Sequence, residues 1–109
     1  MSSVERKSRL TNYRRGAATE YKCVEALEAA GYEAQRSAGS HGPWDVVGVG
    51  PCGVRLIQLK RVKRGGSWRG EYERAVEQMR GLPSLPGVTR EVWVWEDGRG
   101  RGWIKQEVV

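Results

Sequence analysis

The chain has 109 residues, enough for one hydrophobic core and too few for two, so a second catalytic domain is excluded. Its 19 Lys and Arg, mostly Arg, outweigh 13 acids, and a formal charge of +6 with a pI near 9.7 makes a polyanion the natural partner. No apolar run approaches the ~18 residues that span a bilayer, and residues 1–10 are charged, so a soluble protein of the cytoplasm is expected, in a prokaryotic cell or a phage-infected host.

Thr11 and Asn12 are cap candidates for a helix that runs to Ala30 and stops at Gly31, which leaves residues 1–11 as a flexible basic arm. On that helix Ala17, Glu20, Val24 and Leu27 recur at helical spacing and share one face. A carboxylate on an apolar stripe is costly unless it is paired or faces a cation; otherwise Glu20 stands at the stripe's edge and reaches solvent. Cys23 reads as a small core residue of the same helix. Cys52 falls in a Gly/Pro turn, and no pairing between the two is needed.

A strand is expected over 32–38, then a loop over 39–43 that holds His41, the chain's one histidine. Residues 45–49 form a second strand, 50–53 a turn, and 54–62 a third strand. Both faces of the third strand carry apolar residues, so it is central, with Gln58 and Lys60 side by side on one of them. A glycine-rich basic loop over 63–70 contains Trp68. A second helix over 71–80 packs Tyr72, Ala75, Val76 and Met79 on the sheet. Strands over 90–96 and 103–108 close the chain as a hairpin. The fold class is α/β or α+β, a mixed central sheet of about five strands flanked by helices, in one domain.

The pattern Asp45, twelve residues, Gln58-Leu59-Lys60 puts an acid at the start of one strand and an oxygen ligand plus an ammonium on the next. Magnesium takes hard oxygen ligands and keeps several waters, so one or two protein oxygens and a substrate phosphate complete a site. Asp45 is the first candidate ligand, the Gln58 side-chain carbonyl the second, and the Leu59 main-chain carbonyl a third. Lys60 is placed to orient the attacking water and neutralise developing charge, and Glu20 to bind the ion through water or to hold a second one.

These residues resemble the PD-(D/E)xK nuclease superfamily, and the N-terminal half is similar to archaeal-type Holliday junction resolvases. The similarity runs through Arg14-Arg15-Gly16-Ala17 and Glu20, Arg36-Ser37-Ala38-Gly39-Ser40, Asp45-Val46-Val47 and Gln58-Leu59-Lys60, nearly half the chain. It implies a restriction-endonuclease-like fold and a homodimer that holds a four-way DNA junction. Such a dimer nicks two strands symmetrically with Mg2+ or Mn2+, in recombination or in debranching DNA. Metal and catalytic roles then fall to Glu20, Asp45, Gln58 and Lys60. Ser40, and with it Ser37, belongs to a loop against the scissile strand, and Arg14, Arg15 and Arg36 contact phosphates. Two departures stand out. Gln58 replaces the usual glutamate, which removes a charge from the site, and Tyr21 follows the helix acid where a basic residue is common. A DNA-binding module without catalysis, or a nuclease for another branched or duplex DNA, are the alternatives.

Further DNA contacts are expected from Arg61, Lys63, Arg64 and Arg69, which set affinity and salt dependence without reading sequence. Trp68 either stacks on unpaired bases or anchors its loop. Trp93 and Trp95 share a strand face that forms either an outward dimer patch or part of the core. His41 reads as a solvated loop residue, with a catalytic role as the alternative, and Gln78 is placed near the cleft.

Overall fold

Helix α1 (Ser3–Ala29) is followed by strands β1 (Glu33–Arg36), β2 (Val46–Gly50) and β3 (Gly53–Val62), helix α2 (Arg69–Arg80), and strands β4 (Val88–Glu96) and β5 (Trp103–Val108). The computed structural model describes residues 3–37, 42–98 and 102–109, with side chains of α1 from Gly16 onward. The five strands form one sheet in chain order, antiparallel throughout except for the β3–β4 pair. A parallel pair needs a crossover rather than a tight turn, and α2 supplies it. The result is an α+β domain with a mixed five-stranded sheet between two helices, the expected fold class.

The two-residue period of β3 divides the core. Ile57 and Leu59 face α1, where Cys23, Leu27, Val46 and Trp93 close the larger cluster. Leu56 faces α2 with Ala75, Met79 and Val92, and Trp44 packs at that cluster's margin. Cys23 is fully buried, and burial pushes its thiol up to about 12, so it is an inert core residue; Cys52 is exposed and both thiols are free.

Helix α1 ends as expected near Gly31, whose φ of 89° is the left-handed conformation glycine tolerates. The Gly31 N–H donates to the Glu28 carbonyl and the Tyr32 N–H to the Leu27 carbonyl, a Schellman closure that turns the chain into β1. The start differs. The helix begins at Ser3, well before the Thr11 cap signal, so the backbone of the expected arm continues α1. Residues 3–15 contain neither Gly nor Pro, and polar residues at Thr11 and Asn12 cost a helix interior only tenths of a kcal/mol each.

Trp93 of β4 joins the core, and the partly exposed Trp95 packs on the same face beside it. Trp93 is 3% exposed and meets Trp103 edge to face at 5.1 Å, and Trp103 meets Trp95 at 5.0 Å. Val92 and Val94 are fully buried. An outward tryptophan patch is therefore ruled out: Trp93 lies in the α1-side core, and the Lys22 ammonium from α1 lies 5.0 Å from the Trp95 ring.

Beside this cluster lies a buried charge that sequence reading did not single out. Glu91 is 2% exposed and accepts hydrogen bonds from Arg55 Nε and Nη2, both at 2.8 Å, from Thr89 Oγ1 at 2.6 Å and from Trp93 Nε1 at 3.0 Å. Burial by itself would raise the Glu91 carboxyl, but these donors outweigh it and hold the group below its ordinary range. Among the described residues no helix is long and apolar enough to cross a membrane.

Candidate active site

The site arises where two strands part. Strands β2 and β3 pair from Gly50↔Gly53 to Val46↔Ile57, after which β3 runs on to Val62 paired only with β4. Asp45 occupies the fork. Its N–H donates to the Ile57 carbonyl at 2.8 Å, and its Oδ2 accepts the Leu59 N–H at 2.8 Å, in place of the strand that has ended. A residue's N–H and C=O point to the same side of a strand, so Leu59 also directs its carbonyl toward this open edge.

Helix α1 brings Glu20 to the same place. Gly16, Thr19, Glu20, Asp45, Leu59, Lys60 and Arg61 line one cleft of ≈ 190 Å³, roughly the volume of six waters and enough for a hydrated cation. The Asp45 carboxyl is raised above its ordinary range. Burial is the main cause and the nearby Glu20 charge adds to it, while the Leu59 N–H and the Lys60 ammonium act in the opposite sense. Two carboxylates that feel one another beside an ammonium are arranged to receive positive charge. Among the described residues no three His, Cys, Asp or Glu side chains converge, so a cation here would have at most two carboxylates and would complete its shell with carbonyls, phosphate and water.

Gln58 is placed differently. It points to the α2 face and is absent from the cleft lining, and only 8% of it is exposed. Its Nε2 donates to Gln78 Oε1 of α2 at 2.8 Å, whereas its own Oε1 is buried with no hydrogen-bond partner among the described residues. An unsatisfied buried carbonyl costs ~1–3 kcal/mol, a debt that a bound ligand would cancel.

Two of the expected phosphate contacts are paired with the protein's own acids, one of them in the cleft. Arg36 Nε donates to Glu20 Oε1 at 2.7 Å, its Nη1 donates to the Tyr21 hydroxyl at 3.1 Å, and its guanidinium lies 4.7 Å from the Tyr21 ring. Tyr21, half-exposed beside the helix acid, thus seats the arginine that neutralises Glu20. Arg61 is drawn to Asp97 at 2.7 Å and to Thr19 Oγ1 at 3.3 Å. Lys63 and Arg64 are exposed in the turn after β3, and Arg69 is exposed at the start of α2. Trp68 sits against α2, edge to face with Tyr72 at 5.6 Å and covered by the Arg69 guanidinium at 5.3 Å. The Ser37 N–H donates to the Asp45 carbonyl at 2.8 Å and so ties the end of β1 to the fork. Ser40 and His41, and the side chains of Arg14 and Arg15, lie outside the described residues.

The fold and cleft define an α+β domain with paired acids and a lysine at a strand fork. Compared with protein families, curated proteins and solved structures, the chain matches none.

Proposed function

We propose that the protein is a divalent-metal-dependent DNA endonuclease of the PD-(D/E)xK type, a Holliday junction resolvase that nicks four-way junctions symmetrically as a homodimer. One observation carries this reading: Glu20 of α1, Asp45 just before β2 and Lys60 of β3 line a single cleft in a strongly basic chain. The donor set is all oxygen and suits Mg2+ or Mn2+. Asp45 and the Leu59 carbonyl would hold the ion directly, Glu20 directly or through water, and the unpartnered Gln58 oxygen is the remaining candidate. When bound, the cation supplies Lewis-acid activation of water and charge neutralisation at the phosphate.

The protein's own groups do the rest. The Lys60 ammonium orients the attacking water and offsets the charge that gathers on the phosphate oxygens. Arg36 is the counterion of Glu20 in the free protein; a DNA phosphate drawing that guanidinium away would free the carboxylate for the ion. Arg61, Lys63, Arg64 and Arg69 extend the basic surface along the backbone of the substrate, with the salt dependence that phosphate contacts bring. Cytoplasmic DNA, in a cell or under phage replication, is the matching substrate pool.

Incubating the protein with a labelled four-way junction and Mg2+ is expected to give paired, symmetric nicks that EDTA abolishes. Binding without nicks under those conditions would defeat the catalytic reading. Competition against linear duplex and a replication fork separates a junction resolvase from a nuclease of the same type with another target.

Gln58 favours a second reading, a DNA-binding module that has lost catalysis. The Gln58→Glu variant restores the usual charge and is expected to cut about tenfold faster than the parent at limiting Mg2+. An inert parent beside a cutting Gln58→Glu variant would instead establish the binding module.

A further inference from the structure

We infer that the outer edge of β5 is the surface on which two copies of this chain pair, antiparallel and two-fold symmetric about Gln106, joining two five-stranded sheets into one. Strand β5 is the last in its sheet and is bonded along one side only, to β4. A strand edge with unpaired N–H and C=O groups is a template for another strand. The Val109 N–H donates to the Arg90 carbonyl, so by alternation Lys105 and Glu107 direct their backbone groups to β4. Gln106 and Val108 then direct theirs outward. The opposite edge of the sheet is the four-residue β1, and a very short edge is a poor template.

The side chains choose the register. Centred on Gln106, Lys105 stands opposite the partner's Glu107 and Glu107 opposite the partner's Lys105, while Ile104 stands opposite the partner's Val108. Centred one residue to either side, the strands would set Lys105 against the partner's Lys105, or Glu107 against the partner's Glu107. Opposite charges stabilise a cross-strand pair and like charges destabilise it, so one register is favoured and both its neighbours are penalised. Ile104 and Val108 are exposed in the single chain, and this pairing covers each with the other. The Lys105 ammonium lies 3.2 Å from Glu107 Oε2, with the two side chains 37% and 46% exposed, and the Tyr72 hydroxyl donates to the same carboxylate. A carboxylate accepts about four hydrogen bonds, so room remains for a second lysine. The two-fold axis of such a pair stands perpendicular to the sheet, which brings both α1 layers and both clefts to one face. Symmetric nicking of one junction needs that placement; this last step rests on the nuclease reading above, and the interface itself does not.

Sedimentation of the intact chain, without DNA or metal, tests the interface, and the parent is expected to run as a dimer at high micromolar concentration. Gln106→Pro removes an outward N–H, which an edge strand tolerates, and should give a monomer with unchanged circular dichroism. Lys105→Glu and Glu107→Lys each set like charges opposite one another and should weaken the dimer about tenfold. Mixed in equal amounts, these two variants again place acid against base at both positions and should pair within about threefold of the parent affinity. Neither a damaged fold nor an interface elsewhere would produce that rescue. A parent that sediments as a monomer overturns the inference, as does a dimer that survives Gln106→Pro or a mixture no tighter than its components. The chemistry fails separately. A dimer that leaves junctions uncut keeps the interface and defeats the nuclease reading, whereas a monomeric parent that nicks them does the reverse.

Discussion

Asp45→Asn is expected to remove junction cleavage, a loss of roughly three orders of magnitude in rate, while leaving junction binding intact and raising the melting temperature in EDTA at neutral pH. The opposite signs share one cause. Burial, with the Glu20 charge beside it, lifts the Asp45 carboxyl above its ordinary value of 3.8, so the folded state holds this proton more tightly than the unfolded chain does. Stability therefore falls as pH rises from the unfolded value through the folded one, and the full penalty persists above both. Asparagine removes that penalty and still offers an oxygen to the Leu59 N–H that Asp45 Oδ2 accepts at 2.8 Å. Below the ordinary carboxyl value the two proteins should melt together. Cleavage at the parent rate would show that the cation sits elsewhere; a lowered melting temperature at neutral pH would show that the carboxylate supports the fold instead of straining it.

The largest stability loss should come from Glu91→Gln. Arg55 and Glu91 form a bidentate pair whose side chains are 25% and 3% exposed, and glutamine cannot accept from Arg55, Thr89 and Trp93 together. Breaking a buried pair from one side costs ~3–5 kcal/mol, and the partial exposure of Arg55 argues for the lower end. A loss of ~3 kcal/mol corresponds to a melting temperature lowered by more than about 10 °C in a domain of this size. The sign with pH is the reverse of that for Asp45. The folded carboxyl of Glu91 lies below its ordinary value of 4.5, so its stabilisation is complete above that value and is lost as pH falls through the folded one. Thermal unfolding followed by circular dichroism from neutral to acid pH should show the gap between parent and variant closing at the acid end. A shift under 2 °C at neutral pH would mean that the network contributes little.

Local chemistry made much of this architecture readable in the chain. Alternation in 54–62 marked β3 as central, and the structure buries Ile57 on one face and Gln58 on the other. The Gly31 stop and the strand over 103–108 follow from glycine's left-handed backbone and from period-two patterning. Spacing put Asp45 and Lys60 close together and Glu20 on the inner face of α1, while their meeting in one cleft is what the resemblance implied. Pairings across the fold were not readable in this way. Arg36 reaches Glu20, Gln58 reaches Gln78 and Arg55 reaches Glu91 only once α1 is docked and the β3–β4 register is set, and no local period encodes those distances. A signal for Glu91 did exist: an acid between Arg90 and the run Val92, Trp93, Val94 in a buried strand needs a buried counterion. The arginines were harder to assign, since the same guanidinium fork serves a phosphate or an internal carboxylate.

The hairpin from β2 to β3 sets a rule for how its sequence can vary. Five cross-strand pairs join Asp45's strand to that of Lys60, and the turn between them is clamped: a side chain at Gly53, φ 112°, would collide with the Gly87 carbonyl. A single residue inserted in one arm, where no bulge takes it up, would slide one strand past the other and rotate every later side chain to the opposite layer, sending Lys60 away from the acids. Insertions made in twos, one on each arm, lengthen the ribbon and keep its phase. Within the paired arms the stretch separating the acid from the lysine is thus tunable in even increments, a parity constraint that a redesign of the ribbon would have to respect.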